Sequence, residues 1–537
     1  MPHAASPDAA PPKASNVVRS AGVVALGTLA SRILGALRDV VIAASFSLAA
    51  TDSFFVAFTI PNALRALLAE GAVSAAFVPL YTEALTREGP ERAKEVHRTL
   101  SGAFLAVLAL VSVLGVLAAP AFVTAYAAGY GPERYEGTVL LTRIVFPYIF
   151  FVGSAALGMA ALNANGRFAV PALTPALLNV ALIAAPFALV PLVVPLGLEP
   201  VVSLAIAALV GGALQVVAQW PALRAIDHLH APRLALGDPV VRRAAALLLP
   251  VAFGLGIYQV NVMLARLFVS YLPTGAQSYL YYGQRLVEIP QGMFALALAS
   301  ASLPRLSALR AHGDVEGVRQ TFLDGLRHTL FIALPASAVL VVLAEPIVTV
   351  LFERGAFGHD DAIQTARSLA WQGAGVVCIA LVRVFVPVFH AHGDTRGPVW
   401  ASAANLAAFA ALALALRGPF GHVGVAIAIS AAGIAQLGLL AWLLRRKLGR
   451  MLPASARPAG LAGGALRLAL GSLLAAAAGG GLAQLGDWPR GGNDSANVAV
   501  LGGALLAAGA VYLAALWALR APELQEVLAA LRRRRRR

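Results

Sequence analysis

Apolar stretches long enough to cross a lipid bilayer recur along almost the whole chain, from about residue 19 to residue 519. Most run 18 to 28 residues, and a helix needs roughly 20 residues to span ~30 Å of hydrocarbon. Composition agrees with this pattern. Hydrophobic residues make up 59% of the 537 and charged residues only 12%, with a mean hydropathy of +0.77. A water-soluble protein of this length needs far more charge on its surface. The expectation is an all-α integral membrane protein.

Fourteen spans are expected, with approximate limits 19–47, 52–82, 99–126, 138–163, 168–194, 200–223, 240–272, 277–304, 322–350, 363–390, 397–416, 422–444, 463–486 and 495–519. The polar, Pro/Ala-rich residues 1–16 lack the basic-then-apolar layout of a cleaved leader, so the first span is expected to stay in the mature chain. The loops give the orientation. Those after even-numbered spans hold most of the basic residues, among them Arg87, Lys94, Arg167, Arg224, Arg243, Arg305, Arg396 and Arg445. Those after odd-numbered spans hold only Arg134, Arg354, Arg367, Arg417 and Arg490. The positive-inside rule places the even loops and both termini in the cytoplasm, including the run Arg532 to Arg537. That run reads as a solvated tail near anionic lipid headgroups. The net charge of +15 lies in loops between spans and not on one face, so it does not indicate a nucleic-acid partner.

Part of the sequence repeats. Ala164-Asn165-Gly166, Pro171 and Asn179 recur as Ala391-His392-Gly393, Pro398 and Asn405, at offsets of 227, 227 and 226 residues. At an offset of 225, Ser53 falls on Ser278 and Phe54 on Tyr279. Gly supplies a tight turn out of one span and Pro suits the start of the next. Two six-helix halves follow, 19–236 and 237–450, in the same orientation, as in secondary transporters that bind substrate between repeats. Around them lie a polar tail at 1–18, a two-span addition at 451–520 and a basic tail at 521–537.

Charges crowd into a few spans. The first carries Arg32, Arg38 and Asp39. The second carries Asp52, Arg65 and Glu70, and the eighth carries Arg285 and Glu288. Arg266 and Arg383 lie in the seventh and tenth. A charge at mid-bilayer costs ~2.5–3.5 kcal/mol on insertion scales, so these groups should face a polar cavity or a partner. Spacing leaves both readings open. Arg285 and Glu288, three apart, or Arg32 and Asp39, seven apart, could simply neutralise each other along one helix face. Pro61 and Pro290 are expected to break helices near the charges, where freed backbone groups need water or protein. Guanidinium groups lining such a cleft would suit a lipid-linked diphosphate, which they can grip bidentately.

Other chemistries are poorly supported. The single cysteine, Cys378, permits no disulfide framework or Cys-based metal site. A phosphate-binding loop and a zinc helix are both missing from the sequence, so neither ATP-driven pumping nor zinc catalysis is expected. His228 with His230, and His359-Asp360-Asp361, are loop residues with only a weak case for binding metal. Gly479-Gly480-Gly481 reads as a close helix contact.

The opening of the chain resembles a known family. Ser31-Arg32-Ile33-Leu34-Gly35 with Arg38-Asp39 is similar to the first-span signature of the MurJ (MviN) lipid II flippases, in the MOP transporter superfamily. Thr51-Asp52-Ser53-Phe54-Phe55, Ile60-Pro61-Asn62, Leu64-Arg65 and Ala69-Glu70-Gly71 resemble its second span. Tyr281-Tyr282, Arg285-Leu286 and Pro290-Gln291-Gly292 fit its eighth. The resemblance implies two lobes in a V around a cationic central cavity, and two C-terminal helices forming a groove for the polyprenyl tail. Essential arginines would map to Arg32, Arg38, Arg65 and Arg285, and important acids to Asp39, Asp52 and Glu70. The implied substrate is lipid II, the undecaprenyl-diphosphate-linked peptidoglycan precursor, flipped by alternating access across the bacterial inner membrane in cell-wall biogenesis. Gln284 stands where many relatives have Asp, and Arg266 where relatives are uncharged. Span 7 offers only Gln259 and Asn261 toward a sodium site, so membrane potential is the expected drive, with no cofactor. Besides lipid II and membrane lipids, cell-wall synthesis proteins are conceivable partners. The alternatives are an exporter of another lipid-linked glycan or of drugs, a membrane glycosyltransferase, and a non-transporting scaffold of wall synthesis.

Overall fold

The computed structural model describes residues 14–65, 73, 76–291, 303–448 and 459–535. Among these residues the protein is helical throughout, apart from one isolated bridge between Arg354 and Phe357. Nine of the described helices are long and apolar enough to cross a membrane. They fall on ten of the intervals read from the sequence, because the 52-residue run Arg396–Lys447 is two helices joined at Gly421. Gly421 breaks the run with φ 57° and ψ −136°. The four remaining intervals are those with internal charges or undescribed residues. They coincide with Ala14–Ser45, Leu48–Arg65, Pro239–Ser270 and Ala276–Gln291. Large apolar side chains stand outward along the helices, Leu506 at 77% and Trp517 at 75% exposure. In water such a surface would aggregate, whereas lipid solvates it.

By backbone contacts the chain forms two compact units. The first comprises Met1–Ile42, Ala57–Phe122 and Thr138–Gly256, and the second Ala43–Val56, Val123–Gly137 and Ile257–Arg537. The division does not follow the expected limits: residues 237–256 group with the first unit and 451–537 with the second. The ends of the first two helices, and the segment before helix Pro132–Val145, group with the later part of the chain. The cause is local: Asp52 bonds Gly275 and Ser278, Phe55 stacks on Tyr281, and Gly129 N–H donates to Ser270 Oγ at 3.0 Å.

Each unit has its own packed interior. In the first, Phe77, Tyr81, Val96, Leu157 and Ala161 form a buried cluster. In the second, Val318, Val384, Phe389, Ala401 and Leu440 form one cluster, and Phe268, Phe409, Ala413 and Val425 another. Lipid tails are as apolar as these side chains, so dispersion and close fit hold the helices together, not exclusion of water. Gly479 and Gly480 serve that fit. A Cβ on Gly480 would lie 2.6 Å from Val342, and one on Gly479 3.2 Å from the Ala504 carbonyl.

The two repeated turns have the same backbone. Gly166 and Gly393 adopt φ +72° and +69°, a region that disfavours a side chain. In the first turn Arg167 N–H donates to the Leu162 carbonyl at 2.9 Å, and in the second Asp394 N–H donates to the Phe389 carbonyl at 2.9 Å. Each bond closes the end of a helix whose last carbonyls would otherwise be unpaired.

Candidate functional site

Charged and polar residues in the spans gather into three groups. In the first unit, Arg38 and Asp39 are 7% and 2% exposed on helix Ala14–Ser45. The Arg38 guanidinium donates from Nε (2.9 Å) and Nη2 (2.6 Å) to Asp39 Oδ1. Its Nη1 donates to Asn179 Oδ1 at 3.0 Å, and Asn179 Nδ2 returns a bond to the Ser31 carbonyl at 3.1 Å. Neighbouring side chains on a helix normally diverge. Here the long arginine folds back, because Asn179 on helix Ala176–Ala184 draws its far end inward. The expected pairing of Arg32 with Asp39 is not what forms: Asp39 bonds Arg38, and Arg32 is exposed.

The second group is in the second unit. Asp52 is 1% exposed. Its Oδ1 accepts from Ser278 N–H (2.7 Å) and Ser278 Oγ (2.6 Å), and its Oδ2 from Gly275 N–H (2.7 Å). Asp52 is therefore the N-terminal cap of helix Ala276–Gln291, supplied from another helix. It meets unpaired amides and the positive end of the helix dipole. Arg134 Nη2 binds the same Oδ2 at 2.6 Å and lies over the Tyr130 ring, 3.9 Å from its centroid. Thr51 Oγ1 lies 2.8 Å from Ser278 Oγ. From sequence Arg134 is only one of the few basic residues in the outer loops. Its scarcity there was the available signal.

The third group runs along helix Ala276–Gln291. Arg285 Nη1 donates to Glu288 Oε2 at 2.8 Å, the three-residue pair expected from spacing, and Nε donates to the Tyr281 hydroxyl at 3.1 Å. The Tyr281 ring stacks on Phe55 with centroids 3.7 Å apart. Arg266, from helix Pro239–Ser270, donates from Nη1 to Gln277 Oε1 at 3.0 Å and to its carbonyl at 3.4 Å, and Gln277 Nε2 donates back to the Arg266 carbonyl at 2.7 Å. Arg383 is exposed and reaches Gln291 Oε1 at 2.8 Å.

The other candidates fall elsewhere. Arg65 donates from Nε to Asn62 Oδ1 at 2.9 Å. Glu70 lies outside the described residues. Pro61 and Pro290 lie four residues and one residue before Arg65 and Gln291, where the described parts of their helices stop.

The two histidine motifs have structural roles. Gly358 N–H donates to Asp361 Oδ2 at 3.0 Å, capping helix His359–Ala374, while the Tyr279 hydroxyl donates to Asp361 Oδ1 at 2.9 Å. His228 Nδ1 donates to the Ile226 carbonyl at 2.6 Å, which leaves Nε2 to accept from the Tyr81 hydroxyl at 2.6 Å. Asn165 Nδ2 donates to that same hydroxyl oxygen at 2.7 Å. Burial pushes the loop residue His228 below the ordinary imidazole range. Among the described residues no group of three His, Cys, Asp or Glu could hold a metal ion.

Comparison with known proteins places these features in a family. The family model described as lipid II flippase MurJ matches residues 42–483. A Burkholderia cenocepacia protein named lipid II flippase MurJ is 36% identical over 447 residues, 82% of this chain and 85% of its own length. A Vibrio cholerae protein named probable lipid II flippase MurJ is 35% identical over 79% of this chain and 82% of its own. A solved structure of lipid II flippase MurJ in an inward closed conformation matches with a TM-score of 0.74 at 26% identity, covering 92% of this chain and 97% of that one. An inward-facing multidrug resistance MATE transporter of the MOP superfamily matches with a TM-score of 0.61 at 16% identity, over 79% of this chain and 96% of its own. That last likeness is one of fold alone.

Proposed function

This chain belongs to the lipid II flippase MurJ family, and we propose that it flips lipid II from the cytoplasmic to the outer leaflet of the bacterial inner membrane. It is a multi-pass transporter and not an enzyme. In this reading the fold has fourteen spans. Two six-helix lobes, 19–236 and 237–450, form a V around a cationic cavity, and 451–520 holds the lipid tail. Residues 1–18 and 521–537 are cytoplasmic tails. The matching turns at Gly166 and Gly393 support a repeat, as do Asn179 and Asn405. Asn179 bonds the helix that opens the first half, and Asn405 accepts from Asn261 at 2.9 Å on the helix that opens the second.

The observation that carries the mechanism is the placing of guanidinium groups on membrane-embedded helices beside acids and amides that can release them. Arg38 and Arg285 are held by Asp39 and Glu288. A diphosphate offers the same bidentate geometry with more charge and can take their place. Arg32 and Arg65 would add to the site from the first two helices, with Glu70 as a further acid. Asp52, which caps helix Ala276–Gln291, would be a further acid of the site. Alternating access then moves the headgroup past the arginines, driven by membrane potential without a cofactor.

The test is growth after depletion of the resident lipid II flippase, together with lipid II exposed at the outer leaflet. Arg285→Ala should reach the membrane at the normal level and lose rescue. Removing one charge-assisted bond to phosphate weakens binding roughly ten- to a hundredfold. Arg87→Gln, a 76% exposed side chain paired with Glu83, should rescue fully. Normal rescue by Arg285→Ala would refute the reading.

A further inference from the structure

Three arginines in the spans and at their ends have a carboxylate within bonding distance, and Arg266 has none. Arg38, Arg134 and Arg285 are paired with Asp39, Asp52 and Glu288. Among the described residues Arg266 makes no ion pair, and both hydrogen bonds that its guanidinium donates go to the neutral Gln277. Only Nη1 is used there. Among the described residues Nε and Nη2 make no hydrogen bond, and the side chain is only partly buried. An unneutralised guanidinium in a membrane-embedded helix is costly unless an anion visits it.

Its surroundings suggest which anion. The Arg266 Cζ lies 5.8 Å from the centroid of the Tyr281 ring, and the Arg285 Cζ lies 5.1 Å from the same centroid. One aromatic ring thus carries two guanidinium groups. They differ in depth. Arg266 is four residues before the end of helix Pro239–Ser270, and Arg285 nine residues after the start of helix Ala276–Gln291. At 1.5 Å per residue these are about 6 Å and about 13 Å from the turn that joins the helices.

Building on the flippase reading above, we propose that Arg266 is a second phosphate-binding station, which takes the diphosphate of the lipid-linked substrate from Arg285 and holds it nearer the outer face. The reciprocal bonds with Gln277 keep the Arg266 side chain aimed, and its remaining donors make no bond among the described residues. Tyr281 keeps the two guanidinium groups apart and provides the surface across which the headgroup passes.

The test is equilibrium binding to the purified full-length protein in nanodiscs. The probes are inorganic pyrophosphate and, separately, a short-chain prenyl diphosphate, which distinguish a free diphosphate from a lipid headgroup. Arg266→Gln should weaken both probes about tenfold or more. Arg266→Lys, which keeps the charge but not the fork, should weaken them less. Unchanged binding by Arg266→Gln, with weakened binding by Arg285→Gln, would overturn the second station and leave the flippase reading standing. Unchanged binding by both variants would remove the diphosphate site as well. If Arg266→Gln does not accumulate, the Lys variant decides: weakened pyrophosphate binding at an unchanged melting temperature supports the second station, whereas wild-type affinity, or a loss accompanied by a lowered melting temperature, overturns the proposal.

Discussion

Asp39 is where the proposed transport role meets a role in folding. Buried with Arg38, it forms a pair whose desolvation is offset by three hydrogen bonds that the guanidinium donates, two to Asp39 and the third to Asn179. Removing one partner leaves an uncompensated charge, which costs about 3–5 kcal/mol, whereas replacing both with apolar groups is close to neutral. Arg38→Ala should therefore lower the melting temperature of the purified protein by several degrees and abolish rescue of a depleted strain. The double change Arg38→Met with Asp39→Leu should restore the melting temperature but not rescue. If the double variant also restores growth, the pair is structural and takes no part in transport. Arg32 is exposed, so Arg32→Ala should lose rescue with little effect on melting.

Helix Ala276–Gln291 depends on a residue far from it in sequence. Its first amides at Gly275 and Ser278 bond Asp52, 223 and 226 residues away. In Asp52→Ala these amides lose their acceptor, at about 1–3 kcal/mol each if they stay buried. Hydrogen exchange at residues 275–278 should accelerate by one to two orders of magnitude, while the clusters around Val384 and Phe409 stay protected. Asp52→Asn keeps an acceptor and should fall between. Unaltered exchange in Asp52→Ala would mean that the helix start is held by other means. The same helix marks the limit of what was legible in the sequence. Helix positions, the Gly166 and Gly393 turns and the Arg285–Glu288 pair followed from periodicity and local spacing, because their causes lie within one or two turns. The Asp52 cap, the Arg134 contact and the Arg38–Asn179 bond did not. Each joins residues from separate helices, and packing, not spacing, decides which side chains meet.

At the scale of the whole molecule the open question is what drives the headgroup outward, and charge gives an answer that can be tested. The cytoplasmic side of a respiring membrane is negative, and an elementary charge crossing it exchanges about 2.3 kcal/mol per 100 mV. A diphosphate bearing two negative charges therefore gains about 4.6 kcal/mol on moving outward across 100 mV, before any of the protein's charges move with it. Arginines that stay on their helices while the anion passes preserve most of that gain. A sodium-coupled mechanism would instead need an oxygen-rich cation site in the second half. The side-chain amides of the seventh span are Gln259 and Asn261, and Asn261 donates to Asn405. Dissipating the potential in cells that depend on this protein should therefore stop lipid II from appearing in the outer leaflet, and replacing sodium with choline should leave it unchanged. The reverse result would exclude the electrical drive and direct attention to Asn261 and Asn405, where Asn405→Leu should then abolish the sodium dependence.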